Sequence, residues 1–155
     1  MRLRNRLFWL AALVGLVADQ VTKYIVVQNF ELNQSLPVWE GVFHFTFVTN
    51  KGAAFSLFSE QGEWLRWLSL VVSLALIALG LLTRLSRWEQ IGYGCILAGA
   101  LGNGIDRFLF GEVVDFLELR LIRFPVFNLA DVSINIGIIC LLIAALQPGP
   151  TSKNS

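Results

Sequence analysis

The sequence predicts an all-α membrane protein, a bundle of four transmembrane helices carrying a small extracytoplasmic β-sheet and loop. Three observations carry this. Of the 155 residues, 55% are hydrophobic, and the mean hydropathy is +0.65. The apolar residues lie in long blocks rather than in a short-period pattern. Little chain remains outside those blocks to build a core against water.

Spanning a hydrocarbon core of roughly 30 Å takes about 20 helical residues. Trp67 to Thr83, Gln90 to Ile105 and Val132 to Leu146 are uncharged and near that length. A shorter block, Leu7 to Ala18, continues through Asp19, Gln20 and Lys23 into Ile25-Val26-Val27. The expected spans are therefore residues 7–28, 64–83, 89–109 and 129–147 of a single integral membrane domain covering 1–155. Residues 29–63 and 110–128 form its extracytoplasmic segments. Arg2, Arg4 and Arg6 before the first block also fit the start of a secretory signal peptide. No small-x-small cleavage pattern follows, which favours a retained helix.

Arg2, Arg4, Arg6, Arg84, Arg87 and Lys153 fall in the amino-terminal segment, the second connection and the tail, offset only by Glu89. The positive-inside rule makes that side, with both termini, cytoplasmic. Trp64 and Trp67 then sit at the outer interface and Trp88 at the inner one. The tail from Pro148 to Ser155 carries no motif and is expected to be disordered. In the first external segment VFHFTFVT, Val42 to Thr49, alternates, with Phe43, Phe45 and Phe47 on one face of a strand. NKGAAFS, Asn50 to Ser56, follows and is built of small residues. In the third span Gly94, Ala98 and Gly102 form a small-x-x-x-small ladder, and Ala100 with Gly104 a second.

Several function classes are disfavoured. The net charge of +1 provides no basic field for nucleic acid. Cys95 and Cys140 lie in apolar spans without metal-ligand spacing and read as packing residues. His44, the single histidine, reads as structural. A Ser–Lys dyad from Ser56 and Lys51 stays open, although Lys51 is placed where it would be exposed and protonated.

The predicted topology brings the outer ends of the first, third and fourth spans together. The first supplies Asp19, Thr22 and Lys23 on one face by i, i+3, i+4 spacing. The third supplies Asn103, Asp106 and Arg107, and the loop FGEVVDF after it supplies Asp115. The fourth supplies Asn128, Asp131 and Asn135, one face by i, i+3, i+7. A charge at mid-membrane costs about 2.5 kcal/mol or more, and less towards the surface. Each must therefore face the bundle with a partner or a task. Asn128 with Asp131 fits a helix cap, and Asp19–Lys23 and Asp106–Arg107 fit neutralising pairs. Asp115 shifts the weighting, because it stands between Val114 and Phe116 with no cation beside it. Two facing carboxyls in a poorly solvated place cannot both ionise cheaply, so one keeps its proton. Such a pair suits activating a water against a peptide carbonyl while protonating the departing amine. A proton-conducting bundle or a scaffold remain the alternatives. The inner halves of the third and fourth spans offer almost nothing titratable for conduction.

Five motifs in order resemble the bacterial lipoprotein signal peptidase family (signal peptidase II). They are DQVTK at Asp19–Lys23, NKGAAFS, GALGNGIDR at Gly99–Arg107, GEVVDF at Gly111–Phe116 and FNLAD at Phe127–Asp131. The resemblance implies an intramembrane aspartyl endopeptidase without metal or cofactor. It would remove the signal peptide of diacylglyceryl-modified prolipoproteins by cutting before the lipidated cysteine of the lipobox. It further implies Asp115 and Asp131 as the catalytic pair. Asp19, Lys23, Asn50, Gly52, Asn103, Asp106, Arg107 and Asn128 are implied as substrate-binding or site-bracing residues. The implied setting is a multi-pass monomer in the bacterial inner membrane, among membrane lipid, with its site near the outer face.

Overall fold

A computed structural model describes residues 4–52, 63–122 and 124–147. Along the chain run α1 (Arg6–Asn29), β1 (Ser35–Trp39), β2 (Phe43–Asn50), α2 (Glu63–Leu82), α3 (Arg87–Leu109), β3 (Val113–Leu119) and α4 (Leu129–Leu146). Ala53 to Ser56 of NKGAAFS, and so the Ser56 half of the Ser–Lys dyad, lie outside the described residues. So do Arg2 and the tail from Pro148 to Ser155.

Burial in the bundle is inverted relative to a water-soluble protein. In α1 the buried set includes Asp19 and Lys23, at 0% and 4% exposure, while Leu13 and Val17 are 60% and 50% exposed. Where the solvent is hydrocarbon, apolar side chains face out and charges turn inward to partners. Three helices, α1, α2 and α4, are long and apolar enough to cross a membrane. The remaining helix, α3, has 23 residues but carries Arg87, Glu89, Asp106 and Arg107.

That helix is the hub of the bundle, packing against α1, α2 and α4. Its small residues allow the approach. A Cβ at Gly94 would press on the Phe8 carbonyl of α1, one at Gly99 on the Ala130 carbonyl of α4, and one at Gly104 on Ser69 of α2. At the opposite end Asn5 donates to the carbonyls of Gly80 and Thr83 at 2.8 and 2.7 Å, tying the start of α1 to the end of α2. Ser86 starts α3 with a reciprocal capping box to Glu89.

The strands form one antiparallel sheet in the order β1-β2-β3. Asp115, expected in a loop, stands on β3. The segment VVDFLEL is rich in β-formers, and pairing with β2 satisfies its backbone. The expected shared face of Phe43, Phe45 and Phe47 is kept in part: Phe43 meets Phe45 edge-on and Phe45 reaches the cluster of Phe47 and Phe116, but the register slips between them. Phe45 pairs with Leu117 and Val48 with Asp115, so Thr46 and Phe47 together oppose Phe116 across a β-bulge. The extra residue inverts the side-chain alternation beyond it. Phe47 packs with Phe116 against Val26 of α1, whereas Asn50 emerges on the face of Asp115.

Candidate active site

Asp115 and Asp131 line one cavity of about 530 Å³, together with Asn50, Gly52, Asn103 and Arg107. The lining continues along α4 through Val132, Asn135, Ile136 and Ile139, of which Ile136 and Ile139 are 46% and 56% exposed. The cavity thus runs from the aspartates down the outer flank of α4.

Asp131 sits at the first turn of α4, where Asn128 caps the helix. The Asn128 Oδ1 accepts from the Asp131 N–H at 3.0 Å, and Asp131 Oδ2 accepts from the Asn128 N–H at 3.2 Å. The expectation of a cap is correct as geometry, and the same carboxyl also faces the cavity. Its Oδ1 accepts from Asn103 Nδ2 at 2.9 Å. Asn128, 0% exposed, turns its Nδ2 to Asp115 Oδ1 at 2.6 Å, with the Asn103 Oδ1 and the Val114 carbonyl at 3.0 and 3.2 Å. Asp115 Oδ2 accepts from Asn50 Nδ2 at 3.1 Å. Both carboxyls are thus held by neutral N–H donors. Burial, and next the neighbouring Asp131 charge, push the Asp115 carboxyl up to about 7, against the lowering effect of the Asn50 and Asn128 amides.

Deeper in the bundle lies a second buried polar group. Lys23 Nζ contacts Asp19 Oδ2 at 2.9 Å, Asp106 Oδ2 at 2.8 Å and Asn103 Oδ1 at 3.0 Å. The pairing of Asp19 with Lys23 is as expected from i, i+4 spacing. Asp106 pairs with Lys23 rather than Arg107, because consecutive residues on a helix do not face each other. Arg107 instead reaches the carbonyls of Asn103 and Gly52, each at 3.4 Å. Asp19 Oδ1 accepts from the Ala130 N–H at 2.8 Å, binding α1 to the start of α4. Gly102 makes room for this carboxylate, since a Cβ there would collide with it.

Not every expected residue reaches the site. The Thr22 hydroxyl bonds within its own helix to the Ala18 and Asp19 carbonyls. Asn135 lines the cavity and donates to the Asp131 carbonyl at 2.8 Å. Lys51 is exposed. His44 is buried on the other face of the sheet, beside the Ser35 hydroxyl at 3.3 Å. Gln20 was not anticipated; its Nε2 serves Asp106 Oδ1 at 3.0 Å, Asp19 Oδ2 at 3.2 Å and the Gly102 carbonyl at 3.3 Å. The available signal was a second polar residue beside Asp19 within an apolar block. Among the described residues no group of three His, Cys, Asp or Glu side chains is arranged to hold a metal ion.

Known proteins are similar to this chain along nearly its whole length. A lipoprotein signal peptidase of Trichormus variabilis is 64% identical over 155 residues, covering 99% of this chain and 98% of that protein. One of Nostoc punctiforme is 65% identical over 153 residues, covering 98% and 97%. A bacterial membrane enzyme structure obtained by the in meso method at 2.3 Å is 34% identical with a TM-score of 0.84, covering 94% of this chain and 91% of its own. A second, at 1.9 Å, gives 34% and 0.80, covering 90% and 92%. The family model for signal peptidase (SPase) II matches residues 11–147, and this chain belongs to that family of membrane proteases.

Proposed function

We propose that the chain is an intramembrane aspartyl endopeptidase that removes the signal peptide of diacylglyceryl-modified prolipoproteins, cutting before the lipidated cysteine. The observation that carries the reading is the shared cavity. Two carboxyls line it, Asp115 is held near 7, and the walls lead along α4 past exposed isoleucines. Asp115, the carboxyl pushed up to about 7, serves as the proton-holding member of the pair. Asp131 takes a proton from a water lying between them, and that water's oxygen attacks the scissile carbonyl. The carbon–nitrogen bond then breaks as Asp115 protonates the departing amine. Amide donors around both carboxyls hold them in place without neutralising either.

The helix α3 is the fourth span in this reading, because the other three pack around it and only its ends are charged. The chain is then one domain with both termini cytoplasmic, in the bacterial inner membrane, its site near the outer face. The sheet lies on that surface, where exposed Leu36, Val38 and Trp39 of β1 meet lipid. Acyl chains of the substrate would follow the groove along α4 while the peptide occupies the polar end of the cavity. Asn50, Gly52 and Arg107 line that end. The enzyme acts as a monomer and requires no metal or cofactor.

The test is incubation of the purified protein with two lipobox substrates, one diacylglyceryl-modified and one not. Only the lipidated one is expected to be cut. Equal cleavage of both would remove the lipid from the proposal.

A further inference from the structure

Three asparagines deliver N–H groups to the two aspartates, and the orientation of each is dictated by a group that can only donate. An amide side chain has an acceptor end and a donor end that are hard to tell apart by position alone. Here the neighbours decide. Asn50 Oδ1 accepts from the Gly52 N–H at 2.9 Å, so its Nδ2 faces Asp115. Asn128 Oδ1 accepts from the Asp131 N–H, so its Nδ2 faces Asp115 as well. Asn103 is different, because no backbone N–H among the described residues holds its Oδ1. That oxygen receives Lys23 Nζ at 3.0 Å and Asn128 Nδ2 at 3.0 Å, and its Nδ2 is left for Asp131 at 2.9 Å. An ammonium has three donors and no acceptor, so it cannot tolerate the reversed amide.

We propose that Lys23 is a positioning residue for the catalytic pair: by locking the Asn103 amide it keeps an N–H on Asp131 and so maintains Asp131 as the member that accepts the proton from water. The proposal rests on the aspartyl reading above. It gives a role to Lys23 beyond neutralising Asp19 and Asp106. The charged groups lining the cavity or wired to it, among the described residues, are Asp19 and Lys23 of α1, Asp106 and Arg107 of α3, Asp115 of β3 and Asp131 of α4. His44 and Glu118 occupy the opposite face of the sheet, paired across β2 and β3. No titratable side chain among the described residues of α2 lines the cavity.

Substituting Lys23 alone would leave two carboxylates without their cation, so the test uses Lys23→Gln with Asp19→Asn. That double variant keeps the formal charge of the group at −1, carried by Asp106. The amide introduced by Asp19→Asn still offers an acceptor to the Ala130 N–H, and the one introduced by Lys23→Gln presents either of its ends to Asn103, so of the two donors that fix the Asn103 oxygen only Asn128 Nδ2 remains. The readout is the pH profile of kcat on a lipidated lipobox peptide, with Asp19→Asn alone as control. A donor lost from an ionised carboxylate makes it hold a proton more tightly. The acidic limb should therefore move up by about one to two pH units, a 10- to 100-fold loss of kcat below it, with KM little changed. Asn103→Ala should move the limb in the same direction, and combining it with the double variant should add nothing, since all act through one N–H. An unmoved limb in the folded double variant, or additive shifts, would overturn the proposal. If that variant fails to fold, Asn103→Ala decides alone, because an unmoved limb there removes the route from Lys23 to Asp131. Full activity of Asp131→Asn would instead strike the aspartyl reading itself.

Discussion

Two clusters of carboxyls lie side by side in this bundle and are treated differently. Asp19 and Asp106 share the ammonium of Lys23, with the Asn103 and Gln20 side chains completing the set. Among the described residues, Asp115 and Asp131 receive only amide N–H groups as direct partners. A buried carboxylate set against a cation has its charge matched and serves the fold. One met only by neutral donors, with a second carboxyl near, remains able to exchange a proton. Asn103 touches both clusters and is the bridge between them.

This contrast can be broken by experiment. The largest expected effect is on cleavage: Asp131→Asn and Asp115→Asn should each lower kcat by about 10²–10⁴-fold or more while the protein inserts and folds, measured on lipidated substrate. Next in size, Lys23→Met should destabilise the protein by about 3–5 kcal/mol, since it strands Asp19 and Asp106, as a thermal melt would report. Removing the Asp115 charge should do the reverse, and in a pH-dependent way. Because the folded carboxyl is raised to about 7, the folded state binds the extra proton, and its stability falls as pH rises from about 4 to 7. Asp115→Asn escapes this penalty, roughly 4 kcal/mol at most, but loses about 1 kcal/mol of amide hydrogen bonding. It should melt above the parent at pH 8 and at or below it at pH 4; the same ordering at both would contradict the raised carboxyl. Gly102→Ala, which pushes on Asp19, should cost about 1–3 kcal/mol without shifting the pH dependence of cleavage. The smallest effect belongs to Arg120→Ala on the far face of the sheet. Its partly exposed pair with Glu118 at 3.1 Å should contribute about 0–1 kcal/mol, and cleavage should be unchanged.

Much of this was legible in the chain. Long uncharged blocks produced the helices because hydrocarbon leaves the backbone no other partner. The i, i+4 spacing of Asp19 and Lys23 and the i, i+3 spacing of Asn128 and Asp131 are local, and both appear as a helix requires. The motif FNLAD therefore announced both cap and carboxyl. What stayed hidden depends on pairing between distant segments. FGEVVDF reads as a loop until β2 supplies the hydrogen bonds of β3. The register slip at Thr46 and Phe47 sets which face Asn50 occupies, and no alternation in the β2 sequence marks it. Lys23 meets Asp106 across two helices, 83 positions apart, so sequence adjacency favoured Arg107 wrongly.

By itself the sequence determined that this chain builds helices for an apolar medium and carries acidic residues near their ends, because helix period and hydropathy act within a few turns. Only the tertiary structure decided which acids meet a cation and which meet only amide donors. Ionisation of a buried carboxyl depends on the donors and charges within a few ångströms, and those arrive from five separate elements.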